Sequence, residues 1–349
     1  MNSKFRVQWT SPSNIALVKY WGKFGDQLPR NSSISFTLKH SITNLSISAE
    51  KTDSKCVSIN FLFEGSSNSK FKNKIEKFLI SQISHFPWLA DYHLDIGSTN
   101  TFPHSSGIAS SASSMSALCL SLCSLDELIT GVQLEKAEFF KKASTLSRLA
   151  SGSASRSVYA AMASWGKSLA IANSSNQFAS QFSEAHEIFN DYRDSILIVD
   201  DAEKSVSSRA GHSLMENHFF KDQRFQRAEE NLVKLVAALK GGDLLSFIEI
   251  VEEEALTLHA LMMTSNPSYI LLKPNSLWLI DKIRQYRTEK NIPVCFTIDA
   301  GPNIHLLYPK KFEIIVRAWI ENELLTGLVG TKWIHDEVGM GPVKIEASK

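Results

Sequence analysis

Asn100-Thr-Phe-Pro-His-Ser-Ser-Gly-Ile-Ala-Ser-Ser-Ala-Ser-Ser114 is a loop marked by Pro103 and Gly107 that runs into a helix. After the glycine, Ile108, Ala112, Met115, Cys119 and Leu122 recur at helical spacing. A helix start of this kind has unpaired backbone N–H groups at the positive end of the dipole, so it suits phosphate. Small side chains let phosphate oxygens approach the backbone, and serine hydroxyls add donors. The same residues also suit a Ser-capped helix packed closely on a neighbour. The segment lacks the lysine-bearing Walker A pattern.

Around this segment, short strands and helices mix without regular alternation. Ile34–Leu38 and Leu45–Ser48 alternate apolar and small polar residues, as half-buried strands do. Phe71, Ile75, Phe78, Leu79 and Ile83 predict a helix over 69–85, and Leu94–Ile96 a short strand. Helical patterns follow at 108–125, 133–149 and 152–164. Ser195–Val199 reads as a strand, followed by helices over 222–239, 243–263 and 276–289. Strands at Val294–Ile298 and Ile304–Tyr308 flank an Asp-Ala-Gly-Pro-Asn turn. This order predicts an α+β fold rather than a doubly wound parallel sheet. A length of 349 residues suggests two domains, and the boundary is placed at 185–195, giving 1–190 and 191–349.

Lys+Arg is 37 and Asp+Glu is 36, a formal net charge of +1. Nucleic-acid or anionic-membrane binding needs a basic excess, so neither is expected, and an anionic ligand requires a local cluster of donors. Cys56, Cys119, Cys123 and Cys295 form no CxxC pair and no Cys/His metal spacing. They read as free thiols of a reducing cytosol. The first residues, MNSKFRVQWTSPSN, lack the apolar run of a signal peptide, and no transmembrane helix is expected. A cytoplasmic location follows as the expectation.

Four further clusters carry chemistry. Ser151-Gly-Ser-Ala-Ser-Arg-Ser157 sets Arg156, a planar fork for a carboxylate or phosphate, among small residues. Ser207, Ser208 and Arg209 are suited to a second anionic group, or to a solvated loop. Lys19 follows Asn14-Ile-Ala-Leu-Val18, which reads as a strand, so it either points into a cleft or snorkels to the surface. Asp299 ends an apolar strand just before Gly301-Pro302, facing a pocket or capping the turn. The run Glu252-Glu-Glu254 reads as a solvated helix face, and His104, His212 and His259 form no metal array.

In this order the clusters resemble the mevalonate diphosphate decarboxylases of the GHMP kinase superfamily. The segments that carry the resemblance are SPSNIALVKYWGK (11–23), LPRNSSISFTL (28–38), NTFPHSSGIASSAS (100–113), SGSASRS (151–157), VSSRAG (206–211), EALTLHALM (254–262) and FTIDAGPN (296–303). The resemblance implies an N-terminal domain like ribosomal protein S5 domain 2 and a ferredoxin-like C-terminal domain. It implies ATP-dependent decarboxylation of mevalonate 5-diphosphate to isopentenyl diphosphate, with release of ADP, phosphate and CO₂. That reaction is a carboxy-lyase step of the mevalonate pathway of isoprenoid and lipid biosynthesis. Asp299, Arg156 and Lys19 would be catalytic. Tyr20, Trp21, Lys23, Ser151, Gly152, Ser153, Ala154, Ser155, Ser208 and Arg209 would bind substrate alongside Arg156. Pro103, Ser106, Gly107, Ala109, Ser110, Ser111 and Ser113 would hold ATP with Mg²⁺. A homodimer is also implied.

The chain departs from the family pattern at His104-Ser-Ser106, Ile108, His212 and Met340. Between 70 and 76 it offers Lys70, Lys72 and Lys74 in place of a substrate-binding arginine. The alternatives are a phosphomevalonate decarboxylase, a kinase that stops at the 3-phosphate, and a non-catalytic protein on the same scaffold.

Overall fold

The computed structural model describes residues 4–103, 108–202, 206–325 and 332–346. Its first strands are β1 (Lys4–Val18), β2 (Lys23–Phe24), β3 (Leu28–Pro29), β4 (Ser33–Lys51), β5 (Ser58–Phe63), β6 (Ser66–Ser67) and β7 (Tyr92–Asn100). The rest are β8 (Met162–Trp165), β9 (Ser180–Gln181), β10 (Arg193–Leu197), β11 (Cys295–Thr297), β12 (Ile304–Tyr308), β13 (Trp333–Glu337) and β14 (Val343–Ile345). The α-helices are α1 (Ser69–Ser81), α2 (Ser110–Thr130), α3 (Lys136–Ala150), α4 (Ser208–Leu214), α5 (Lys221–Gly241), α6 (Leu244–Met263), α7 (Pro274–Lys290) and α8 (Glu313–Trp319).

Among the described residues, eight strands form one sheet in the order β14-β1-β4-β7-β5-β6, with β8 and β9 continuing from β4. A second, antiparallel sheet has the order β11-β12-β10-β13. α2 packs on β1, β4 and α3, while α6 packs on β11 and β1. The architecture is α+β, as expected. β1 shows why its chemistry lies at one end. Val7 and Trp9 are buried between more exposed neighbours, as in a strand with one wet face, but every residue from Ser11 to Val18 is buried. The polar residues of that half are satisfied internally. Ser13 Oγ donates to the Ile108 carbonyl at 2.5 Å, and Asn14 Nδ2 to Ser157 Oγ at 2.7 Å. A register shift between Pro12 and Asn14 accommodates a proline inside the strand, and a second shift falls between Ala16 and Val18.

Two expectations change, and a third is qualified. The strands at 34–38 and 45–48 are parts of one 19-residue strand, β4. Their alternation breaks at the exposed Lys39 and His40, where Asp336 of β13 accepts the backbone N–H groups of Lys39, His40 and Ser41 at 2.8–2.9 Å. The helix expected at 152–164 is a 3₁₀ turn, Gly152–Val158, followed by β8. Small residues there mimic helical spacing but supply little apolar mass. Finally, α2 is long and apolar enough to cross a membrane by length and composition, yet it is mostly buried within the protein.

One apolar core lies between the first sheet and α1–α3, and another between the second sheet, α7 and α8. A third joins the two sheets, placing Leu17 and Phe36 with Ile196 and Phe247. The last described strand, β14, returns to pair with β1.

Candidate active site

Lys19 lies one residue beyond β1, and its Nζ donates to Asp299 Oδ1 at 2.7 Å. Burial lowers the Lys19 pKa, while the adjacent Asp299 carboxylate favours the charged form. The backbone around Asp299 is held from three directions. His259 Nε2 donates to the Asp299 carbonyl at 3.1 Å, and Ser276 Oγ to the Pro302 carbonyl at 2.7 Å. Asn303 Oδ1 accepts the N–H groups of Val199 and Asp200.

Arg156 is buried in the 3₁₀ turn. Its Nε donates to Ser35 Oγ at 2.9 Å, Nη1 to Ser33 Oγ at 2.6 Å and Nη2 to Asn14 Oδ1 at 3.3 Å. All three partners are neutral. Burial pulls its pKa down to about 10. Gly152, four residues earlier, is closely approached by aromatic rings. A Cβ there would stand 2.8 Å from Trp165 Cη2 and 3.0 Å from Tyr20 Cε1. His212 lies between Tyr20 and Trp21, with ring centroids 4.4 and 4.5 Å away. Its Nδ1 accepts the Gly22 N–H at 3.0 Å. Burial, with Lys23 nearby, lowers its pKa to about 3, so the ring is neutral at ordinary pH.

These groups line one cleft of about 510 Å³. Of the sequence-derived residues, it brings together Lys19, Tyr20, Trp21, Lys23, Ala109, Ser111, Ser151, Gly152, Ser153, Arg156 and Asp299. Lys70 and Lys74, one helical turn apart on α1, add two further cations. Asp299 is the one carboxylate among the described lining residues, so a chain of net charge +1 presents a locally basic cleft. At the start of α2, Ala109 has left-handed backbone (φ 43°) and no side chain caps the helix. The Ala112 N–H bonds back to the Ala109 carbonyl, and a helix start of this kind suits an anionic ligand.

Other residues lie elsewhere. Ala154 and Ser155 are fully buried, and Ser155 Oγ bonds to the Gly152 carbonyl beneath the lining. Ser113 is also buried, 2.7 Å from Thr43 Oγ1. Ser110 begins α2, where its carbonyl accepts from Ser114 Oγ, and Pro103 is exposed; neither is among the lining residues. Ser106 and Gly107 lie outside the described residues, as does His104. Ser208 and Arg209 open α4, but their side chains are likewise outside the description.

The acidic run on α6 overturns its expectation. Glu254 is fully buried and Glu252 nearly so, rather than both facing solvent. Glu254 meets Arg224 with both oxygens, at 2.8 and 2.7 Å, and Glu252 meets Arg284 and Arg287. The run alone cannot disclose this, because its partners lie 30 to 35 positions away.

Two family models match the chain. The diphosphomevalonate decarboxylase-like N-terminal domain covers residues 11–177, and the mevalonate 5-diphosphate decarboxylase C-terminal domain covers 195–327. The diphosphomevalonate decarboxylase of Gibberella zeae is 29% identical over 94% of this chain and 87% of its own length. The mevalonate diphosphate decarboxylase of Staphylococcus aureus superposes with a TM-score of 0.84 at 28% identity, covering 99% of both chains. A structure described as MDDEF in complex with MVAPP, AMPPCP and magnesium gives 0.83 at 28% identity, covering 99% of this chain and 100% of that one. With both family models in chain order and the basic cleft between their segments, the chain belongs to the mevalonate diphosphate decarboxylase family.

Proposed function

We propose that this chain carries out its family's reaction, using ATP to convert mevalonate 5-diphosphate into isopentenyl diphosphate, ADP, phosphate and CO₂. The observation that carries this reading is Arg156. A buried guanidinium whose hydrogen-bond partners are all neutral, with the Asp299 carboxylate near but already paired with Lys19, calls for a ligand anion. Its fork fits the substrate carboxylate.

The Asp299 carboxylate accepts the proton of the tertiary 3-hydroxyl, and that oxygen attacks the terminal phosphorus of ATP, releasing ADP. Lys19 offsets the charge of the Asp299 carboxylate before the proton arrives, and the negative charge on the transferring phosphoryl group. That attack makes a new O–P bond; the substrate's own C3–O bond then breaks, and phosphate leaves with that bond's electron pair. The C–C bond to the carboxylate breaks with it, its electron pair forming the alkene as CO₂ leaves. Arg156 keeps that carboxylate aligned with the departing phosphate.

Tyr20, Trp21, Lys23, Ser151, Gly152 and Ser153 are assigned to the substrate, with Ser208 and Arg209 on its diphosphate side. Ala154 and Ser155 support that turn from inside. The start of α2, with Ala109, Ser110 and Ser111, is assigned to the ATP phosphates together with Pro103, Ser106 and Gly107, and Ser113 anchors the helix. Among the described residues no group of three or more acidic, His or Cys side chains is gathered for a metal. A cation-rich cleft with one lining carboxylate fits magnesium that is held mainly by nucleotide phosphates. When bound, Mg²⁺ screens phosphate charge.

CO₂ and ADP release, measured on mevalonate, its 5-phosphate and its 5-diphosphate, tests the reading. Equal CO₂ and ADP with the diphosphate as best substrate is expected. ADP without CO₂ would indicate a kinase, and turnover only of the monophosphate would reassign the substrate.

We also propose a division into 1–190 and 191–349, supported by the gap between the family matches at 177 and 195. Under it, β14 is an extension of the second part that joins the first sheet. A cytoplasmic location is supported by four free cysteines, three of them buried. The homodimer rests on the family resemblance, and light scattering tests it.

A further inference from the structure

We propose that Glu254 and Arg224 are positioning residues for Lys19, gripping its peptide group so that the ammonium stays aimed at Asp299. Glu254 Oε2 accepts the Lys19 backbone N–H at 2.9 Å. Arg224 Nη2 donates to the Lys19 carbonyl at 3.0 Å, and Asn31 Nδ2 donates to the same oxygen at 2.9 Å. The two charged residues hold each other at 2.7 and 2.8 Å, and their side chains are 1% and 0% exposed. Asn231 supplies Glu254 Oε1 with a further donor at 2.8 Å.

Stability alone is a weak reason for this ion pair. Desolvating two charges is costly, and apolar residues of similar volume often serve a core as well or better. The pair has a second property that an apolar pair lacks, because both of its members bond to one peptide, that of Lys19. The residue after β1 would otherwise sit at a strand end with its carbonyl and N–H outside any ladder. Helix α6 also carries His259, which bonds to the Asp299 carbonyl, so one helix orients both members of the Lys19–Asp299 pair. Among the described residues, the charged groups around the Lys19 segment include Asp299, Glu254, Asp194, Arg156 and Arg224.

The inference rests on the reading of Lys19 as catalytic, and the test separates the two. Glu254→Gln keeps an acceptor for the Lys19 N–H but breaks the ionic fork. Arg224→Lys keeps a cation against Glu254 but loses the second arm to the Lys19 carbonyl. Thermal melting sets the folded fraction, and kcat and both KM values are taken per folded molecule. Competitive acetylation of the ligand-free protein, read by mass spectrometry, follows the Lys19 amine against exposed Lys55 and Lys310 as references. The expected result is a kcat lower by about tenfold or more with KM values within about twofold. Lys19 should acetylate several-fold faster, with the reference lysines unchanged. A folded variant with wild-type kcat, or with unchanged Lys19 labelling, overturns the proposal. If Glu254→Gln does not fold, Arg224→Lys carries the test. If the wild-type protein releases no CO₂, the functional reading fails, and the labelling still decides the positioning.

Discussion

Lys19 and Asp299, 280 positions apart in the chain, meet at 2.7 Å between Nζ and Oδ1. The pair is lopsided: the lysine side chain is 2% exposed and the aspartate 25%. The carboxylate therefore opens to the cleft while the ammonium backs it from inside. In the proposed mechanism this arrangement lets the carboxylate take the hydroxyl proton while the cation stays dry behind it.

Asp299→Asn keeps the shape of the side chain and removes its charge. The carboxylate, ahead of Glu254, is the main group that opposes the effect of burial on Lys19, so its loss lowers the lysine pKa further and favours a neutral amine. Turnover should fall by about 10²-fold or more while nucleotide still binds. Steady-state CO₂ release beside calorimetric nucleotide binding checks this, and near-normal turnover would remove Asp299 from its role.

The sequence discloses what is local and hides what is tertiary. Ile304–Tyr308 is legible as a strand because five consecutive residues, all buried, have turn residues before them. The convergence of Lys19, Arg156 and Asp299 was legible only through the family resemblance, since no spacing rule joins segments so far apart. Glu254 was misread because a carboxylate run on a helix is usually solvated, and Arg224, Arg284 and Arg287 come from other helices. The continuity of β4 was hidden because Lys39 and His40 interrupt its alternation, and the residue that holds that interruption, Asp336, arrives about 300 positions later.

Asp336 makes that stitch measurable. It is fully buried on β13, and its carboxylate accepts the N–H groups of Lys39, His40, Ser41 and Glu337. Asp336→Ala strands these donors and should cost about 3 kcal/mol. Urea unfolding should show a lower midpoint with an unchanged slope, and Asp336→Asn an intermediate loss. A midpoint equal to wild type in the alanine variant would count against the stitch.

His212 should make the protein acid-sensitive. Its folded pKa, about 3, lies below the unfolded value of about 6.5, so the unfolded chain binds the extra proton between them. Stability from this group is present above about pH 6.5 and is lost as pH falls through the window, by at most about 1.4 kcal/mol per pH unit. His212→Met removes the titration. Unfolding of both proteins at pH 7, 6 and 5 should show the wild type losing more stability than the variant. Parallel losses would mean that His212 is not held neutral.

Lys70 and Lys74 project from α1 onto the cleft where the sequence lacks an arginine. Lys70→Ala and Lys74→Ala should raise a KM for an anionic substrate by about threefold to tenfold each, with kcat nearly unchanged and a weaker salt dependence of kcat/KM. The affected KM, that of ATP or that of the isoprenoid precursor, identifies which anion they face. Unchanged KM values and salt dependence would return both lysines to the solvated surface.

Arg156→Lys separates decarboxylation from simple phosphoryl transfer. The guanidinium is fixed by Ser33, Ser35 and Asn14, so its free edge has one orientation. A carboxylate that leaves as CO₂ must lie in line with the breaking C–O bond, and a planar fork sets that direction as well as neutralising charge. Lysine keeps the charge but loses the fork, and orientation errors of this kind cost about 10²-fold in rate. CO₂ formation should therefore drop strongly, with a much smaller change in ATP affinity. ADP formation that outlasts CO₂ release would place Arg156 at the second step. A proportional fall in both would place it in binding the substrate for the first. A helix-turn arginine with no ligand predicts normal CO₂ release and a lower melting temperature, so melting and CO₂ release measured together on this variant decide whether Arg156 belongs to the chemistry.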